Sequence, residues 1–201
     1  MTTKGGVHQG IRVPPVIAVT GEQNSGKTTA VEGLVEELSR RGHRVGTVKH
    51  CHHGFDLDRP GKDSWRHRQA GAARTVLTSP DGFALVGEPL PEDDLHRTVA
   101  WLFPDVDLVL AEGYHWLPLP RIEIVGCDGG TRPAHPQAPT VAQLPNRFGA
   151  DQILELCDLL EQRYCSGTLP SEGSPEALPD LGGAAMVRPS VERSQGPPPK
   201  P

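Results

Sequence analysis

The sequence predicts an α/β fold: a mostly parallel central sheet with helices on both faces. Three observations carry that reading. Val16-Ile17-Ala18-Val19-Thr20 is a short β-branched apolar run, as a strand buried on both faces should be. Shortly after it, Val31, Leu34, Val35 and Leu38 recur at i, i+3, i+4 and i+7, the spacing of one helix face. Val106-Asp107-Leu108-Val109-Leu110-Ala111 is the most apolar run in the chain and reads as a second central strand.

Between the first strand and its helix lies Gly21-Glu22-Gln23-Asn24-Ser25-Gly26-Lys27-Thr28-Thr29, which matches G-x-x-x-x-G-K-[ST] at every required position. Gly21 and Gly26 let the backbone turn tightly and approach an anion with no Cβ in the way. Successive N–H groups and the positive end of the following helix then favour a phosphate. Lys27 is positioned by the pattern to reach the outer phosphates, and the Thr28 hydroxyl to ligate Mg²⁺. The bland alternative is a Gly/Ser turn before an ordinary helix; the strand and helix on either side argue against it. The pattern alone leaves open what the nucleotide is used for.

The remaining elements follow in order. The first helix should stop near Arg40-Arg41-Gly42, where basic residues precede a glycine. Arg44–Lys49 reads as the next strand, completing a βαβ unit. A polar, Gly/Pro-punctuated stretch from Lys49 to Ser64 reads as a functional loop. Asp63 or Ser64 is then expected to cap a short helix reaching Gly71. Strands around Arg74–Thr78 and Phe83–Gly87 flank a Pro80-Asp81-Gly82 turn. Pro91–Phe103 is expected to be helical, with Leu95, Val99 and Leu102 on one face. Arg121–Val125 alternates and is expected to be a more exposed strand. Thr140–Ala142 reads as the last strand, and Ala150–Tyr164 as the last helix.

The packed domain is thus residues 12–164, preceded by a flexible arm (1–11). Residues 165–201 contain eight prolines and no aromatic residue. Such a segment buries too little apolar surface to offset its ordering entropy, and a disordered tail is expected.

Composition excludes several classes. The net charge of −5 gives no overall basic character to recruit nucleic acid or an anionic membrane. No apolar run approaches the roughly 18 residues of a spanning helix. The first residues lack an apolar core of signal-peptide length, so a cytoplasmic location is expected. Cys51, Cys127, Cys157 and Cys165 form no C-x-x-C pair, which argues against a zinc knuckle or disulfide framework. Cys157 sits with Ile153 and Leu160 on a helix face, as a buried thiol would.

Other residues suggest how a nucleotide would be held. Glu112 ends the second apolar strand, where an acid beside the phosphate loop would face Mg²⁺ or its water shell. Asp107 starts that strand and belongs at its far end. Asp56 and Asp58 are either further Mg²⁺ ligands or solvated loop acids. His50-Cys51-His52-His53 tempts a metal reading, but no partner pair stands at zinc-site spacing, and polar contact with an anionic ligand is the more economical role. Lys49, Lys62, Arg66, Arg68 and Arg74 either face phosphates or line solvated surfaces. The candidate nucleotide-binding residues are therefore Gly21, Asn24, Ser25, Gly26, Lys27, Thr28, Thr29, Lys49, His50, Lys62, Asp63, Ser64, Arg66 and Gly113. The candidate metal ligands are Thr28, Asp58 and Glu112.

Three strings together resemble one family: Gly21-x-x-Asn24-Ser25-Gly26-Lys27-Thr28-Thr29; Val48-Lys49-His50 through Asp56-Leu57-Asp58 to Gly61-Lys62-Asp63-Ser64-x-Arg66-x-Arg68-x-Ala70-Gly71-Ala72; and Leu108–Tyr114. The chain resembles the molybdopterin-guanine dinucleotide biosynthesis protein B (MobB) family over roughly residues 14–125. The resemblance implies a P-loop NTPase three-layer fold, GTP and Mg²⁺ as ligands, weak GTPase activity and a homodimer. It also implies an adapter role beside the guanylyltransferase that joins GMP to molybdopterin, with the molybdopterin cofactor itself a further candidate ligand. One departure stands out: the family usually has a lysine where this chain has His115, which carries no permanent charge at neutral pH. Nothing in the family pattern accounts for the Pro-rich tail.

GTP over ATP rests on this resemblance, since no N-K-x-D guanine signature occurs; Asn146-Arg147 is a base contact by position only. Two other classes remain in view, a P-loop small-molecule kinase and a metallochaperone-type GTPase suggested by the histidines.

Overall fold

The computed structural model describes residues 13–54, 59–88, 94–126 and 129–165. Among these residues seven strands and four helices follow one another: β1 (Val16–Gly21), α1 (Lys27–Arg40), β2 (Val45–Lys49), α2 (Asp63–Gln69), β3 (Arg74–Ser79), β4 (Gly82–Gly87), α3 (Leu95–Leu102), β5 (Leu108–Glu112), β6 (Arg121–Val125), β7 (Thr140–Pro145) and α4 (Ala150–Leu160). A π-helical turn, Glu161–Cys165, extends the last helix. Five strands form one wholly parallel sheet in the order β2-β5-β1-β6-β7, and β3 and β4 form a separate antiparallel hairpin.

The period-two geometry of the strands divides the core. Ile17, Val19, Leu108, Leu110, Ile122 and Ile124 face α1 and α4, against Ala30, Leu34, Leu38, Ile153 and Leu156. Val16, Ala18, Val109 and Ala111 face the other way, against Leu95 and Val99 of α3. Both faces of the sheet are therefore covered, which is why β1 and β5 are uninterrupted apolar runs. Val19 pairs with Glu112 across β1 and β5, bringing that acid level with the end of β1.

Several sequence expectations need correction. Strand β6 is interior, between β1 and β7, and Glu123 within it is buried, its carboxylate accepting a 2.8 Å bond from Gln143 Nε2. A buried acid satisfied from the next strand imitates the alternation of an exposed strand. Helix α2 begins at Asp63 with Lys62 at its N-cap and no side-chain cap bond, so Asp63 lies in the first turn instead of capping it. Helix α3 begins at Leu95; Asp94 is its cap, accepting from the Arg97 amide at 3.2 Å. Strand β7 continues to Pro145, beyond the expected Ala142.

The ends of α1 and α4 away from β1's exit are tied by charge. Arg41 Nη1 donates to both Asp158 and Glu161 at 2.6 Å, and His43 Nε2 lies 2.7 Å from Glu161. The Arg40 and Arg41 guanidiniums hold the Glu37 carboxyl down at about 2. Cys157 is fully buried, and burial pushes its thiol up to about 11. Among the described residues no helix is long and apolar enough to cross a membrane. The calls on residues 1–11 and 166–201, and on Asp56 and Asp58, fall outside the described residues.

Candidate functional site

The chain leaves β1 toward β5 and β2 on one side and is flanked by β6 and β7 on the other, so the carboxyl end of β1 is a topological switch point. A cleft of about 590 Å³ opens there. One of its walls is the loop between β1 and α1. Gly21 has φ +148°, and a Cβ on it would stand 2.7 Å from the Ile124 carbonyl oxygen. Gly26, at φ +96°, forms the N-cap of α1 without a side-chain cap bond. The first-turn amides of α1 are therefore presented at the cleft with no side chain in front of them. Asn24 also has a positive φ, 60°, a conformation asparagine tolerates better than most residues. The Ser25 hydroxyl is buried in the loop and has no protein partner.

Lys27 donates from Nζ to the loop's own carbonyls, Gly21 at 3.2 Å and Glu22. Its ammonium is held below the ordinary lysine value, first by burial, with Glu112 opposing and Arg132 and Lys49 reinforcing the shift. Beside it is an acidic corner. The Thr28 hydroxyl donates to Glu112 Oε1 at 3.1 Å, and Lys49 Nζ lies 3.0 Å from the same oxygen. Two hard oxygen donors, a hydroxyl and one carboxylate, fit Mg²⁺, which takes few protein carboxylates and keeps several waters. Thr28 and Glu112 are the residues that would hold it, and the ion would neutralise and orient the terminal phosphates.

The opposite wall is assembled from three strand exits. His50 follows β2, and its amide donates to the Glu112 carbonyl at 3.1 Å. After β5, Gly113 (φ +103°) and Tyr114 (φ +38°) turn the chain sharply. The Tyr114 ring is thereby buried in the α3-side core, while His115 and Trp116 line the cleft. The loop after β6 is pinned alongside by a 2.8 Å bond from the His135 amide to the His115 carbonyl, and contributes Arg132 to the lining. The His50 ring lies 4.3 Å from that of His52 and 4.8 Å from that of Trp116, and His115 lies 5.1 Å from Trp116, all in edge-on contact. Burial holds His115 below its ordinary value, helped by Arg132, His52 and His50, so its ring is neutral at pH 7.

Of the residues singled out from the sequence, the loop members Gly21, Asn24, Ser25, Gly26, Lys27 and Thr28 line the cleft, together with Lys49, His50, Glu112 and Gly113. Thr29, Lys62, Asp63, Ser64 and Arg66 do not; the last four stand at the start of α2. No group of three His, Cys, Asp or Glu among the described residues is arranged to hold a metal ion, so the histidine cluster supplies no metal cage of its own. The sequence reading singled out neither Trp116 nor Arg132, and missed Arg132 most completely. It sits in a Gly/Pro-rich stretch with no motif, and its only signal is that it follows the carboxyl end of a strand.

A three-layer parallel α/β protein with a glycine-bounded loop and an acid at its switch point is the class that fold and cleft define. The family model for "Molybdopterin guanine dinucleotide synthesis protein B" (MobB) matches residues 16–144, and the chain belongs to that family. It is 38% identical over 109 residues to a molybdopterin-guanine dinucleotide biosynthesis adapter protein of Haemophilus influenzae, covering 54% of this chain and 61% of the relative. An adapter protein of the same description from Escherichia coli K12 is 37% identical over 122 residues, covering 59% of this chain and 70% of the relative. A solved molybdopterin-guanine biosynthesis protein B superposes with a TM-score of 0.57 at 24% identity, over 73% of this chain and 98% of its own; this likeness supports the fold. Bacillus subtilis MobB superposes with a TM-score of 0.51 at 25% identity, over 74% and 96%.

Proposed function

We propose that this chain is a nucleotide-holding adapter in molybdopterin guanine dinucleotide synthesis, binding GTP with Mg²⁺ and working beside the guanylyltransferase in the cytoplasm. The observation that carries the reading is the corner where Thr28, Glu112 and Lys49 meet at the mouth of the Gly21–Thr28 loop. A hydroxyl, a strand-end carboxylate and a lysine converging there are what a magnesium-bound triphosphate needs. The relatives named as adapters supply the pathway. Slow hydrolysis is part of the reading: holding a triphosphate requires only the cradle, whereas fast turnover also requires a positioned water and stabilisation of the developing charge.

Calorimetric titration with Mg²⁺–GTP and Mg²⁺–ATP tests the nucleotide. Wild-type protein is expected to prefer GTP, and Lys27→Ala to lose measurable binding; unchanged affinity in the variant sinks the assignment. A pull-down with a molybdopterin guanylyltransferase, with and without GTP, tests the partner.

The chain is further proposed to act as a homodimer. The β3–β4 hairpin stands apart from the main sheet and exposes Val76 (59%), Leu77 (43%) and Phe83 (79%). Val76 and Phe83 share one face of the ribbon and Leu77 lies on the other; an isolated two-stranded ribbon is marginal in water, and exposed apolar side chains on it mark an interaction surface. Sedimentation should give a dimer for wild type and a monomer for Phe83→Ser; a monomeric wild type refutes the dimer.

A further inference from the structure

The register of the parallel sheet sets polar groups in a row along its carboxyl edge. Val19, near the end of β1, pairs with Glu112 at the end of β5, and Glu112 pairs in turn with Lys49, the last residue of β2. Neighbouring strands stand about 4.8 Å apart. Moving outward from β1, the Gly21–Thr28 loop, the Thr28–Glu112 corner and Lys49 are therefore met in that order. Phosphates that start in the loop and run past that corner arrive at Lys49.

We propose that Lys49 reads the terminal phosphate and is the residue by which this chain tells a nucleoside triphosphate from a diphosphate. This rests on the nucleotide occupying the Gly21–Thr28 loop, and assigns the form of nucleotide that the site selects.

The two lysines that line the cleft are held differently, and the difference divides their work. Lys27 belongs to the loop, and its Nζ donates to the loop's own carbonyls, Gly21 at 3.2 Å and Glu22. It stays with the phosphates that the loop amides surround. Lys49 comes from another strand and takes its position from the corner: its Nζ lies 3.0 Å from Glu112 Oε1 and donates to Thr28 Oγ1 at 3.4 Å. Those are the two groups that would hold the metal, so a phosphate oxygen neutralised there is within reach of the same ammonium. An ammonium has three donors. Glu112 and Thr28 engage two of them, and the half-exposed side chain opens into the cleft.

Folding does not account for this ion pair. A pair with so exposed a partner contributes little stability, and β2 is already held to β5 along its whole length. What the pair does is aim the ammonium. The Thr28 hydroxyl donates to both Glu112 oxygens, at 3.1 and 3.3 Å, and so fixes the carboxylate that aims it. A diphosphate stops short of Lys49 and leaves it with the partners it has; a triphosphate brings it one charge-assisted bond more.

Calorimetric titration of the full chain with GDP and with a non-hydrolysable GTP analogue, each with Mg²⁺, tests this. Wild type is expected to prefer the triphosphate. Lys49→Met should weaken binding of the analogue by about ten- to a hundredfold, the worth of one charge-assisted contact, and leave GDP binding nearly unchanged. Intact GDP binding also shows that the variant is folded. Lys49→Arg keeps the charge and should keep most of the preference. Arg97→Met removes one positive charge from the exposed side of α3 and should leave the preference as it is, which separates a contact at Lys49 from a general effect of charge. Repeating wild type and Lys49→Met in chelator separates the lysine from the metal: the preference should persist in wild type and be lost in the variant. Equal weakening of both nucleotides in Lys49→Met, a preference that survives that substitution, or a wild type that binds both alike would overturn the inference and leave the loop standing as a nucleotide site. A wild type that binds neither nucleotide removes the nucleotide reading and this inference with it.

Discussion

The two walls of the cleft are built in opposite ways. The loop wall, Gly21 to Thr28, is one unbroken stretch of chain whose shape is set by backbone: glycines at φ +148° and +96° and the start of a helix. The ring wall is made of side chains from three separate strand exits, held together by single bonds such as His135 N to His115 O. The first is a rigid loop whose form backbone alone sets; the second is a surface whose character depends on which rings and charges it carries. One expects the loop wall to fail as a unit, through the backbone, and the ring wall to be adjustable one side chain at a time.

The sharpest way to break that contrast is Gly21→Ala. The new Cβ would stand 2.7 Å from the Ile124 carbonyl oxygen and 2.7 Å from Ser25 Oγ, at a φ that side-chain-bearing residues rarely adopt. Ser25 can rotate away, but the carbonyl belongs to β6, in the middle of the sheet. The conformation alone costs about 1–3 kcal/mol, and relief of the clash requires β1 and β6 to separate. Urea unfolding should show the loss, and calorimetry the loss of nucleotide binding with it. A variant with wild-type stability would mean that the loop wall is as forgiving as the other.

An intermediate effect is expected where the walls meet. Glu112→Gln keeps the shape of the carboxylate but removes the charge that faces Lys49 and Thr28. Lys49 is half exposed, so folding stability should change little. A charge-assisted contact is worth about 1.5–3 kcal/mol, which predicts Mg²⁺-dependent nucleotide binding weaker by roughly ten- to a hundredfold. With the metal chelated, wild type and variant should bind alike; a difference that persists in chelator would move Glu112 out of the metal's corner.

This difference in construction also explains what the sequence made legible. The loop wall is contiguous, so its letters and its flanking strand and helix could be read together, and β1, α1 and β5 follow from apolar periodicity alone. The ring wall has no such economy. Histidines at 50 and 52 drew attention as a metal cluster, yet their partners in space are Tyr114 and Trp116, from another strand's exit. Arg132 follows β6, a strand whose own position was misread because Glu123 breaks its apolar run. The pairing of Glu123 with Gln143 is a contact between strands, invisible to a local pattern. Where a residue's role is set by its neighbours along the chain, the sequence shows it; where the fold supplies the neighbours, only strand-end position hints at it.

The smallest expected effect asks whether the two walls share one electrostatic field. Arg132 lowers both Lys27, in the loop wall, and His115, in the ring wall. In Arg132→Ala the His115 ring should therefore titrate closer to the ordinary histidine value of about 6.5, though still below it, because burial is the larger cause. Proton NMR of the imidazole Cε1–H resonance across pH 4–8 reads this directly. The sign carries into stability. A histidine depressed in the folded state binds its proton more readily when unfolded, so stability falls as pH drops below about 6.5, and it stops falling below the folded value. Removing Arg132 narrows that gap, so the acid-side decline in melting temperature should begin at the same pH but be shallower. Glu37 titrates separately, since its folded carboxyl is already down at about 2; its contribution is full above the ordinary glutamate value and fades only as pH falls toward 2. An unchanged His115 titration in Arg132→Ala would mean that the guanidinium acts on the loop wall alone and that the two walls do not share one field.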